Sequence, residues 1–201
     1  MNRGTKNLVN TILSLLVISV LGGLGYLLFS SGESFVPENF IEARGRSAII
    51  ASELVSDLNI SLLQSLPKIS EEDKNGRFSS ALGLVEQEIE KIQKVKDMAS
   101  KLSIELTNMA QAIQGIKPVV ARNLALEAVS QEVSMINHLL NYNNYFYSLL
   151  ETLKLKFSGD IRYDSSDVQV LIENMNKEAK EINSINDSFN QKLKEFDSAI
   201  N

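Results

Sequence analysis

Along the first thirty residues the hydrophobic pattern is unbroken rather than periodic. Residues 8–29 read LVNTILSLLVISVLGGLGYLLF, with no charged side chain and only Asn10, Thr11, Ser14 and Ser19 polar. As a helix this segment would be roughly 33 Å long, against ~30 Å of bilayer hydrocarbon. The pattern therefore predicts a membrane-spanning helix. A cleaved secretory signal would have a shorter apolar core of about 7–15 residues followed by small residues at the cut. Tyr26, Leu27, Leu28 and Phe29 stand where those small residues belong, so the expectation is a retained anchor.

Beyond a short polar link at residues 30–36 the pattern changes to apolar positions three and four apart, the period of an amphipathic helix. A first helix is expected over about 37–66, with Ile41, Ala48, Ile50, Leu54, Leu58, Leu62 and Leu66 on its apolar face and Pro67 as its stop. A second is expected over about 70–114, capped by Ser70 and carrying the most regular series, Leu82 through Val85, Ile89, Ile92, Leu102 and Leu106 to Ile113. Asn75 and Gly76 are placed to interrupt its first turns, so its firm part starts near Phe78. The third, about 118–157, opens on Pro118, and the fourth, about 166–200, follows the Asp164–Asp167 run of capping residues. Alternating β-branched strands with frequent turn signals are missing from the pattern.

Each stripe is too narrow to be stable alone in water, so the helices must bury one another. Short connections make sequential helices antiparallel neighbours. The expected fold is all-α: a single transmembrane helix feeding an elongated antiparallel four-helix bundle over 37–201. A three-helix bundle with helix one as a stalk is the alternative. In arrangement, though not in motif, one membrane helix leading into such a bundle resembles the sensor domains of bacterial chemoreceptors.

Charge sets the orientation. Arg3 and Lys6 precede the span, while Glu33 and Glu38 follow it, and basic flanks stay on the cytoplasmic side. The expectation is a single-pass protein of the cell membrane with residues 1–7 cytoplasmic and the bundle outside. The chain as a whole carries 20 Lys+Arg against 25 Asp+Glu, a net −5. An acidic bundle lacks the basic face that nucleic acid requires, so no nucleic-acid partner is expected. The absence of Cys excludes thiol catalysis, disulfide scaffolding and Cys-ligated metals.

Candidate chemistry is sparse. His138 is the single histidine, with Ser134 and Tyr142 one turn to either side, and the Glu-x-x-His pairs of helical di-iron sites are not present. The reading is of a satisfied, partly exposed histidine, with no catalytic residue, metal or cofactor. Carboxylates four residues from lysines, such as Glu90 with Lys94 and Glu173 with Lys177, read as solvated helix pairs. Arg44 and Arg46 are expected to meet Glu195 and Asp197 where helix four returns. The oddity is residues 141–147, NYNNYFY, which hold three of the five tyrosines. Tyr142, Asn143, Tyr145, Phe146 and Tyr147 form the candidate recognition patch, since Tyr supplies contact area and Asn adaptable hydrogen bonds. Packing of the same residues into a polar bundle layer is the competing account.

The function expected from this pattern is non-enzymatic: a membrane-anchored bundle that binds a partner protein, including a further copy of itself, or scaffolds an envelope assembly. The alternative is a sensor-like ectodomain that binds a small molecule between helices. The lipid bilayer, reached through residues 8–29, is the other expected partner.

Overall fold

The computed structural model describes residues 34–201. The cytoplasmic segment and the span expected at 8–29 lie outside the described residues. Among the described residues no helix is long and apolar enough to cross a membrane.

The described chain is all-helical and follows four helical paths. α1 (Glu38–Ile60) runs through a π-helical segment (Ser61–Ser65) into α2 (Leu66–Lys74). α3 (Phe78–Ala112) ends in a 3-10 turn (Ile113–Gly115), and α4 (Val119–Ser158) and α5 (Ser165–Ile200) complete the chain.

The first path departs from expectation at Pro67. A proline within a helix lacks an N–H, and its ring crowds the carbonyl four residues back. Here the turn just ahead of it is widened: the Leu66 N–H donates to the Ser61 carbonyl, five residues back. The widened turn accommodates the ring, and the helix continues to Lys74. The stop falls instead at Asn75–Gly76, where Gly76 adopts φ 71°. Ser70, expected as a cap, is therefore inside a helix. Gly159 takes the same left-handed conformation after α4, as glycine does at helix ends. Before α5, Asp164 Oδ1 accepts the Ser166 N–H at 2.8 Å.

The described residues form two compact units. The first gathers Val55–Asp97 and His138–Lys180; the second gathers residues 34–54, Met98–Asn137 and Glu181–Asn201. In the first unit α3 and α4 are antiparallel, since Phe78 stacks on Phe157 at 6.2 Å while Lys96 lies over the Tyr147 ring at 5.8 Å. Val85, Ile92, Phe146, Leu149, Leu150, Ile172 and Ala179 are among its buried side chains.

In the second unit α4 and α5 are antiparallel, with Gln131 bonded to Ser188 at 2.8 Å and Glu127 paired with Lys192 at 3.0 Å. Leu102, Leu106, Ile113, Ala121, Ile182 and Phe196 are buried there. Burial of such side chains, roughly 1.5–3 kcal/mol each, is what holds the helices together. Arg44 donates two bonds to Asp197, at 2.8 and 3.2 Å, and its guanidinium lies 5.6 Å from the Phe196 ring centroid. The chain enters this unit through Phe35, which exchanges backbone hydrogen bonds with Lys117 at 3.1 and 2.8 Å. Gly115 permits that close approach: a Cβ there would lie 2.6 Å from Pro37 Cγ.

Candidate functional site

The first unit contains a cavity of about 230 Å³. The end of α1, the π-helical segment, α3 and α4 each supply part of its wall. Leu58, Ile92, Val95 and Phe146 give it buried apolar sides. Ser61, the first residue of the π-helical segment, and Asn143 are its buried polar lining. Asp57, Lys91 and Lys94 line its charged margin, with Lys94 paired to Asp57 at 2.7 Å. π-helical turns concentrate at functional sites because the wide turn re-aims side chains, and this one places Ser61 on the cavity.

Asn143 is the unusual group. Its side chain is fully buried, and neither Nδ2 nor Oδ1 has a hydrogen-bond partner. An unpaired buried amide is costly, about 1–3 kcal/mol for each group left unsatisfied, and most buried polar atoms in folded proteins are paired. Nearby in the unit, Glu88 is 2% exposed; its Oε1 accepts from Lys91 Nζ, whereas Oε2 has no partner. Burial pushes the Glu88 carboxyl upward, but the Lys91 ammonium and the adjacent Ser65 and Ser61 hydroxyls outweigh it, so the net shift is downward. Glu88 is a buried carboxylate that stays ionised. The Tyr142 hydroxyl is also buried without a partner, and burial pushes its ionisation upward, keeping the phenol protonated.

The five residues of the sequence-derived patch do not share one surface. Tyr142, Asn143 and Phe146 are buried, Tyr145 is half-buried and Tyr147 is 39% exposed. Tyr142 and Phe146 fall on the apolar stripe with Leu139, Leu149 and Leu150. Asn143 and Phe146 reach the cavity, and Tyr147 instead meets Lys96. Arg44 finds Asp197 as expected, while Arg46 pairs with Glu105 and Glu42 rather than with Glu195. His138 Nδ1 lies 2.6 Å from Glu178 Oε2. Among the described residues no three His, Asp or Glu side chains converge as a metal site would require.

Sequence reasoning missed Ser61, Glu88 and Glu132. A signal for the acids was present: Glu88 falls three residues after Val85 and four before Ile92, and Glu132 three after Val129 and four before Ile136. Both sit on the apolar stripe rather than on the solvated face, and both are buried. Glu132, in the second unit, is 5% exposed; burial raises its carboxyl to about 7, opposed by the Arg44 charge.

A shallower groove of about 270 Å³ lies in the second unit against Leu106, Ala110, Val129, Val133 and Ile136, with Ser103, Thr107 and Asn137 as its polar lining.

The chain matches no protein-family model, curated protein or solved structure. The functional reading accordingly rests on the site's own chemistry.

Proposed function

We propose that this chain is a membrane-tethered, non-enzymatic sensor-like domain that binds a small molecule between the helices of its first unit. The tether is residues 8–29, and the bundle, read as an antiparallel four-helix one, stands outside the cytoplasm. The observation that carries the binding reading is the unpaired Asn143 amide on the wall of an otherwise apolar cavity. Ligand pockets combine apolar walls with a few placed polar groups, and a donor and acceptor left without partners are groups a guest can satisfy.

The test is a metabolite-library melting screen of the full-length chain beside Val95→Phe, which fills the cavity. A compound that binds the folded state raises its midpoint. At least one compound should raise the midpoint of the parent and leave that of the variant unmoved. Equal shifts in both proteins, or none in either, would defeat the reading. The tether is checked separately: after alkaline carbonate washing the protein should remain in the membrane pellet, and protease added to intact spheroplasts should remove the bundle.

A second reading, docking of a partner helix or a second copy, is supported by Val119, Leu126 and Val133. They are seven residues apart on α4 and 45–56% exposed, which is the spacing a helical partner engages. Replacing all three with Gln should leave the melt intact and dissolve any self-association seen by sedimentation.

A further inference from the structure

We infer that the first unit's cavity takes a small uncharged molecule presenting an N–H beside a C=O, the cis-amide edge of a lactam, a cyclic imide or a pyrimidine base. The inference rests on the reading of that cavity as the recognition site, and adds the chemistry of what enters it.

The Asn143 carboxamide sets one donor beside one acceptor, both unpaired. A guest satisfies both only if it offers an acceptor to Nδ2 and a donor to Oδ1 side by side. A carboxylate offers acceptors alone and would set an oxygen against Oδ1. An ammonium offers donors alone and would leave Nδ2 orphaned.

Charge argues in the same direction. The ions at the cavity are already matched, Lys94 with Asp57 and Lys91 with Glu88. A charged guest would have to break one of these pairs or enter among apolar walls without a counter-ion, and burying an uncompensated ion is strongly unfavourable. A neutral guest disturbs neither pair.

Size and shape complete the description. A cavity of about 230 Å³ is smaller than drug-sized pockets. Leu58, Ile92, Val95 and Phe146 offer apolar contact to the ring carrying the amide edge. The Asn143 side chain is closed to water in the structure, so a guest reaches it with a rotation of a wall side chain.

The experiment is calorimetric titration of the full-length chain in detergent micelles. The probes are succinimide, 2-piperidone and uracil, each beside its N-methylated counterpart, together with succinate and glycine. At least one parent probe should bind, and its N-methylated counterpart should bind at least about tenfold more weakly, the equivalent of one lost hydrogen bond. Asn143→Leu should abolish that discrimination. The methylation comparison is made on the natural chain, so it stands even if the variant fails to fold.

Equal binding of a probe and its N-methyl form would overturn the proposal. So would binding of succinate or glycine that Val95→Phe prevents, although the cavity would then still be a binding site. If none of the probes binds, the cis-amide class is refuted, and the library screen decides separately whether the cavity binds anything.

Discussion

The two units put similar helices to different use. Four of the five unpartnered buried side-chain atoms among the described residues belong to the first: Glu88 Oε2, Tyr142 Oη and both amide atoms of Asn143. The second has one, Gln131 Oε1. Its central charged group, Arg44, is matched twice over by Asp197 and covers an aromatic ring. The helix that lines the first unit's cavity is interrupted by a π-helical segment, whereas α4 and α5 run without a break. Groups left unsatisfied lower stability unless something else completes them. The difference therefore marks the first unit as the place where stability is yielded to recognition, and the second as the better-packed framework.

The largest effect that would sharpen this contrast is a charge in the second unit's core. Leu102→Asp, at a position 2% exposed, should cost about 5 kcal/mol, from lost burial together with an unpaired buried charge. Thermal melts followed by circular dichroism would show it, and a parent-like melt would remove Leu102 from the core.

A titration comes next. The folded Glu132 carboxyl, at about 7, lies above its ordinary 4.5. The folded state therefore holds the proton more tightly than the unfolded chain, and stability falls as pH rises from about 4.5 to about 7. The span is worth about 3 kcal/mol. Denaturant melts at pH 5 and pH 7.5 should differ in that direction, and Glu132→Gln should flatten the difference. An unchanged pH dependence in the variant would show that Glu132 is not its source.

Asn143→Leu should move the other way. Replacing an unpaired buried amide with an apolar group of similar volume should stabilise the first unit by about 1–3 kcal/mol. Destabilisation would mean that the amide is paired in solution, and the contrast between the units would weaken. The smallest effect belongs to the surface. Lys154, 3.6 Å from Glu86 with both side chains about half exposed, should change the midpoint negligibly when replaced by Ala, within about 0.5 kcal/mol.

The helical paths were legible because each repeats apolar residues at three and four over many turns, and that period survives whatever surrounds it. The termination of the first path was not legible. A proline reads as a stop unless the turn before it widens, and widening depends on what the neighbouring helices press against the chain. The tyrosine-rich segment shows a second limit. Its period places Tyr142 and Phe146 on one face and Asn143 beside them, yet whether the adjoining face is water or a third helix is decided by packing. For Glu88 and Glu132 the information lay in their register with the apolar stripe, and the expectation that acids are solvated hid it.

The π-helical segment also sets a phase. In the first path the buried residues Leu54, Leu58, Ser61, Leu66 and Ile69 are spaced by four, three, five and three, and the interval of five is one residue more than an ordinary α-helix can absorb on one face. The chain thus carries one surplus residue that acts as a vernier between two otherwise incommensurate halves of a single rod. Deleting Gln64 would restore ordinary phase only by rotating everything beyond it by about 100° relative to the preceding turns. Leu66 and Ile69 would then be dialled off the buried side unless Ser61 left it. Insertions and deletions, tolerated in most loops, should here behave like rotations, and their effect should depend on the count modulo one helical turn rather than on which residue is lost.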